Sequence, residues 1–106
     1  MKLYYVYIVV CSDHTLYTGV TSDLSRRLEE HNLGIKKDAY TYSRRPVILK
    51  WFESFTDPNE AICIEKQIKG WSRRKKKALI NSDWDKLVLY SKNYKDYGKW
   101  SSTSSD

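Results

Sequence analysis

Arg27 and His31 stand four residues apart in a segment whose leucines, Leu24 and Leu28, are also four apart. Positions 24, 27, 28 and 31 recur at helical spacing, so the guanidinium and the imidazole fall on or beside the stripe that must face a core. Arg26, Glu29 and Glu30 project elsewhere, toward water. A second segment shows the same anomaly with the opposite charge. Ala61, Ile64 and Ile68 make an inward stripe and Glu65 falls between them, while Lys66 and Lys69 lie off it. A carboxylate on a buried stripe is expensive unless it is paired, hydrogen-bonded or bound to a metal. Two structural readings are open: a buried Arg27–Glu65 ion pair that only fixes the fold, or side chains that snorkel at the edge of the stripe. The functional reading brings Arg27, Glu65, His31 and Tyr17 together at one sheet edge as a phosphate site. A guanidinium matches phosphate with a two-pronged fork, and an imidazole titrates near neutrality.

Those side chains need elements to position them. Leu3 to Val10 is β-branched and aromatic without polar alternation, the pattern of a strand buried on both faces. Ser12 to Thr15 is a polar turn, and Leu16 to Thr21 returns as a second strand of an antiparallel hairpin. A turn centred there makes facing residue numbers total about 27, which leaves Tyr7 three places from Tyr17. Gly19, on the face of Tyr17, either admits a phosphate backbone or marks a bulge or a closely packed helix. Ser22 or Asp23 caps a helix to Asn32 or Leu33, with Gly34 as its terminator. Ile35 to Arg45 is a polar, basic loop, and Pro46 opens a third strand over Val47 to Phe55. Asp57, Pro58 and Glu60 start a helix that ends at Gly70. Ser72 caps another to about Asn81, and a short helix or turn follows from Asp83 to Leu89. The order β-β-α-β-α-α is that of a small α/β fold, with helices on a three-stranded sheet.

The 106 residues fit one domain, expected over 1–90, followed by an extension over 91–106 whose serine-rich end is frayed. Lys and Arg outnumber Asp and Glu by 19 to 13, which points to a polyanionic partner. Cys11 and Cys63 match no metal-ligand spacing, and with His14 and His31 the only histidines, a zinc site is not expected. Reduced thiols fit a cytoplasmic protein. The apolar run Leu3 to Cys11 is too short to span a bilayer, so no membrane partner is expected. Lys36, Lys37, Arg44, Arg45, Lys69, Arg73, Arg74, Lys75, Lys76 and Lys77 are the expected nucleic-acid contacts. Tyr40, Tyr42 and Trp71 interleave with them, as bases would require for stacking, although Trp71 also reads as core. The five-residue basic run opens a helix, where the dipole disfavours cations and a bound polyanion would compensate.

Val6-Tyr7, followed ten residues later by Tyr17-Thr18-Gly19, resembles the two-part signature of the GIY-YIG nuclease superfamily. Arg27, His31, Glu65 and the stretch from Glu65 to Ile80 follow in the order of its small single-domain bacterial members, related to the excision-repair and Slx-type nuclease domains. The resemblance covers roughly Lys2 to Trp84. It implies a three-stranded antiparallel sheet flanked by helices, and an endonuclease that hydrolyses DNA phosphodiester bonds, structure-selective or weakly specific, in repair or recombination. It implies Mg²⁺, or Mn²⁺, held by Glu65, and Arg27 on the scissile phosphate. Tyr17 is the general base or orients the attacking water, Tyr7 positions water or phosphate, and His31 assists proton transfer. Asn81 is the candidate for a late asparagine. The chain departs from the pattern in having Tyr5 at the first glycine and Val20 where some members carry lysine. With no recognition domain in view, whether a protein partner supplies specificity is left open, as is the oligomeric state, a monomer or a weak dimer. The competing readings are a non-catalytic nucleic-acid-binding module on the same fold, and an interaction scaffold built on Trp84, Tyr90, Tyr94, Tyr97 and Trp100.

Overall fold

Seven consecutive aromatic or β-branched residues, Tyr4–Val10, have the most to bury, and they form the middle strand. The computed structural model describes residues 2–91. Its sheet has the order β2-β1-β3, with β1 over Tyr4–Val10, β2 over Leu16–Thr21 and β3 over Ile48–Phe55. Both outer strands run antiparallel to β1. Val6, Tyr7, Ile8 and Val9 are all buried. Successive strand residues point to opposite faces, so both faces of β1 are covered.

The hairpin is one residue tighter than the sequence pattern implied. Cys11 N–H donates to Thr15 O at 2.8 Å and His14 N–H to Cys11 O at 2.9 Å, closing a loop of Ser12, Asp13 and His14. His14 takes the left-handed conformation, with φ 69°. Asp13 accepts from both the backbone N–H and the hydroxyl of Thr15. Tyr7 therefore faces Gly19, and Val9 faces Tyr17. Side chains alternate with period two, so this one-residue correction puts Tyr7, Val9, Tyr17 and Gly19 on the same face.

On β3, Ile8 faces Trp51 while Val9 faces Leu49, which leaves Lys50 as an extra residue in a bulge. The strand begins at Ile48 because the Val47 backbone is otherwise engaged. Its N–H donates to Asn32 Oδ1 at 2.7 Å, and Asn32 Nδ2 donates to its carbonyl at 3.2 Å. The preceding Arg45–Pro46 bond is cis.

Helix α1, Leu24–Leu33, starts at Asp23, whose carboxylate accepts from the Arg26 N–H at 3.1 Å. Gly34 ends it with φ 69°, where the N–H bonds Glu30 O. Leu24 and Leu28 pack on the cluster of Tyr7, Val9, Cys11 and Val47. Helix α2, Pro58–Lys69, packs on β1 and β2 and buries Ala61, Ile64, Glu65 and Ile68. These elements form one compact unit, ending at Lys69; the chain from Gly70 onward forms a second. The second unit holds α3, Arg73–Ile80, capped by Ser72, and α4, Trp84–Ser91; Ala78, Leu79 and Leu87 are buried. The expected C-terminal extension, with Tyr94, Tyr97 and Trp100, lies outside the described residues. Among the described residues no helix is long and apolar enough to cross a membrane.

Candidate active site

The Tyr7 ring lies across Gly19. A Cβ built on Gly19 would sit 2.6 Å from Tyr7 Cζ and closer still to its hydroxyl. The room that glycine provides is filled by this phenol, which corrects the expectation that it admits a phosphate backbone. Buried there, the Tyr7 hydroxyl meets His31 Nε2 at 2.9 Å, and His31 Nδ1 meets Thr41 Oγ1 at 2.8 Å. Burial, reinforced by the neighbouring Tyr17, pushes the Tyr7 phenol up to about 12, against the pull of Arg27. Burial, with the Arg27 charge second, pushes His31 below its ordinary value. A neutral imidazole beside a protonated phenol assigns the bond direction by acidity. The phenol O–H donates to Nε2, and Nδ1–H donates to the Thr41 hydroxyl.

Tyr17 extends the cluster on the same face. Its ring centre is 6.5 Å from that of Tyr7 and meets His31 edge-on at 5.5 Å. It stacks on Tyr40 at 5.8 Å and 20°, and the Arg44 guanidinium lies 4.0 Å from the centre of the Tyr40 ring. Tyr17, Arg27, His31, Thr41 and Lys36 share the wall of a cavity of about 110 Å³. Arg27 pulls electrostatically on the Tyr7 phenol and pairs with Glu30 at 3.4 Å. Its side chain is 37% exposed against 75% for Arg26, so helical spacing distinguished the two arginines correctly.

Glu65 is buried, with 10% of its side chain exposed, and its Oε2 lies 2.7 Å from Lys69 Nζ. That contact holds the lysine pKa above its ordinary value, against a smaller opposing effect of burial. The Arg27–Glu65 ion pair, one of the two structural readings of the sequence, is not formed. Each charge pairs one turn away on its own helix, Arg27 with Glu30 and Glu65 with Lys69. The Glu65 charge nevertheless raises the Tyr7 phenol, so the carboxylate belongs to the same electrostatic neighbourhood. Among the described residues no three His, Cys, Asp or Glu side chains converge. A single buried carboxylate, already set against a compact positive charge, fits a hard oxygen-seeking cation whose remaining ligands are water and phosphate.

The GIY-YIG catalytic domain family matches residues 3–78. The chain belongs to the GIY-YIG family. It is 46% identical over 82 residues to a UPF0213 protein of Haloquadratum walsbyi, covering 77% of this chain and 91% of that one. It is 47% identical over 78 residues to a UPF0213 protein of Halobacterium salinarum, covering 74% of this chain and all of that one. A solved solution structure of an E. faecalis protein is 35% identical, with a TM-score of 0.55 over 77% of this chain and 86% of that one. The three-stranded antiparallel sheet with flanking helices is thus the GIY-YIG fold, as the resemblance implied.

Within this GIY-YIG chain, Tyr7, Tyr17, Arg27, His31 and Glu65 lie in one unit and act on one another. Asn81 lies in the second unit, at the C-terminal end of α3. Lys36, Lys37, Lys69, Arg73, Arg74 and Lys77 are exposed, and Lys76 is half-buried. Lys75 is corrected as a phosphate contact: it is fully buried, with Nζ 4.1 Å from the centre of the Trp71 ring. Trp71 is itself buried, in keeping with its reading as core. Arg44 and Arg45 are half-buried and engaged within the protein. Arg44 bonds Asp13 at 3.0 Å and the Tyr40 carbonyl, while Arg45 bonds the Tyr42 carbonyl at 2.7 Å and lies over that ring. Two contributors escaped the sequence reading. Thr41 was one polar residue in a polar loop and carried no signal. Asn32 read only as a helix end, although a terminal asparagine beside a strand that opens with proline is a plausible backbone clamp.

Proposed function

We propose that this GIY-YIG protein is a metal-dependent endonuclease that hydrolyses DNA phosphodiester bonds, with branched, nicked or flapped duplexes of repair and recombination as its substrate class. One observation carries the reading: Arg27, Tyr17 and His31 share a single cavity wall while the buried Glu65 acts electrostatically on the Tyr7 phenol beside them. A structural ion pair would account for Glu65 alone, but not for an arginine, the Tyr17 phenol and an imidazole around one opening with the Tyr7 phenol buried behind them.

In this reading Arg27 binds the scissile phosphate and neutralises charge that grows as the attacking oxygen adds. Tyr17 would orient the attacking water, and only as the phenolate could it take up the water's proton. Tyr7 keeps its proton, because burial raises its pKa, and donates a hydrogen bond to His31, so that it anchors the imidazole behind the cavity. His31 has both ring nitrogens engaged, so it positions Tyr7, and it takes a proton only when that bond opens. Glu65 would hold the divalent ion, which supplies Lewis acidity at a phosphate oxygen. The exposed Lys36, Lys37, Arg73, Arg74 and Lys77 give the affinity its electrostatic, salt-sensitive part.

The test is cleavage of nicked, flapped and four-way DNA in Mg²⁺ or Mn²⁺. Wild type is expected to cut, and Arg27→Ala, Glu65→Gln and Tyr17→Phe to lose about 10²–10³ in rate. Equal cutting by wild type and Arg27→Ala overturns the proposal. Salt-dependent binding without any cutting points instead to a binding module.

A further inference from the structure

A buried carboxylate that awaits a metal must be balanced by something until the metal arrives. Glu65 solves this on its own helix. Lys69, one turn toward the C-terminus, puts Nζ 2.7 Å from Oε2. Glutamate placed N-terminal to lysine at this spacing is the favourable order for such a pair. The two partners differ sharply in exposure: the carboxylate is 10% exposed and the lysine side chain 50%. The carboxylate is therefore fixed and poorly hydrated, while the ammonium sits on a flexible four-carbon stem with a route to solvent. Lysine Nζ is also 5.9 Å from the centre of the Tyr17 ring, so it borders the proposed reaction cleft rather than the outer surface of α2.

We propose that Lys69 is the resident counter-ion of Glu65, a positioning residue whose ammonium a divalent cation must displace and which then turns to the phosphate of the bound nucleic acid. This rests on the nuclease reading of the same site. The ammonium occupies Oε2, so a hard cation that takes this oxygen, alone or together with Oε1, competes with it, and two cations on one poorly hydrated carboxylate repel each other. Two consequences follow. The free protein binds divalent ions weakly, because each must break a short charged hydrogen bond. Nucleic acid strengthens metal binding, because its phosphate accepts the displaced ammonium. Lys69 thereby couples the two ligands and holds the Glu65 side chain in place when both are absent.

The experiment is Mn²⁺ binding to the full chain without nucleic acid, read by electron paramagnetic resonance of the free ion. It compares wild type, Lys69→Met, Lys69→Gln, Lys69→Arg, Glu65→Gln and the Lys69→Met/Glu65→Gln double variant. Each neutral Lys69 variant is expected to bind Mn²⁺ about tenfold more tightly than wild type, the order of one charged hydrogen bond. Lys69→Arg stays near wild type, and Glu65→Gln abolishes the gain. Two neutral substitutions guard against one that fails to fold, which the melting curve reports. Affinity unchanged within about twofold in both neutral variants, or a gain that survives Glu65→Gln, overturns the proposal. Cleavage of nicked DNA is followed in parallel. Cutting by wild type with no change in Mn²⁺ affinity sinks the Lys69 inference alone. Tighter Mn²⁺ binding in protein that never cuts DNA sinks the nuclease reading alone.

Discussion

Replacing Gly19 by alanine tests the geometry of the site without touching any charged group. Glycine in a strand interior is destabilising by about 0.5–1 kcal/mol relative to alanine, so the substitution taken alone favours the variant. The structure reverses the sign. The new methyl would lie 2.6 Å from Tyr7 Cζ, and that ring is fully buried with its hydroxyl tied to His31. It cannot tilt away without breaking the bond to Nε2 or displacing Val9 and Leu28, which belong to the same cluster. Overpacking of a buried site costs about 1–3 kcal/mol and a lost hydrogen bond about 0.5–1.5. Net of the backbone gain, Gly19→Ala is expected to destabilise by about 0.5–4 kcal/mol, centred on about 2 kcal/mol or about 8–16 °C in Tm for a domain of this size. Thermal melting by circular dichroism measures it. A double-mutant cycle isolates the cause: in a Tyr7→Leu background most of the penalty should vanish, because the obstructing ring is gone. A Gly19→Ala protein that melts at or above wild type, or a penalty unchanged in the Tyr7→Leu background, refutes the placement of Tyr7 over Gly19.

His31 titrates below its ordinary value of 6.5 in the folded chain, so the unfolded chain binds more protons just below that pH. Its contribution is therefore present above about pH 6.5 and is lost as pH falls through the folded value, and Tm between about pH 5 and pH 7 should slope less in His31→Gln than in wild type. Asn32→Ala removes both bonds to the Val47 backbone and is expected to lower stability by about 1–2 kcal/mol in urea denaturation. Lys75→Ala and Lys77→Ala should divide cleanly. The buried Lys75 change lowers Tm, whereas the exposed Lys77 change leaves Tm within about 2 °C and reduces the salt slope of DNA binding by about 1.

What the sequence disclosed was mostly local chemistry. Asp23, Ser72 and Gly34 cap helices where their types said they would, because a cap is decided within four residues. Arg27 was separable from Arg26, and Glu65 from Lys66, because helical periodicity turns spacing into direction. The hairpin register was missed by one residue. A three-residue loop with histidine in the left-handed conformation, pinned by Asp13 and Thr15, is not the turn that Ser-Asp-His-Thr announces. That single slip would have put Tyr7 and Tyr17 on opposite faces of the sheet. The charge partners were illegible for another reason. Glu30, Glu65 and Lys69 each have several cations or carboxylates within reach, and packing rather than pattern selects among them. Thr41 reaches His31 only because the loop before β3 folds back over α1, which nothing local encodes.

Arg44 joins parts of the chain that are far apart in sequence. Its guanidinium bonds the Asp13 carboxylate in the hairpin turn and the Tyr40 carbonyl, and it lies on the Tyr40 ring that stacks on Tyr17. Asp13, Tyr40 and Arg44 are thereby one mechanical unit and not three separate contacts. Loss of the arginine leaves the aspartate with Thr15 alone and the second tyrosine with only its stack on Tyr17, so relatives should keep this trio entire or abandon it together, and a lone replacement should be rare.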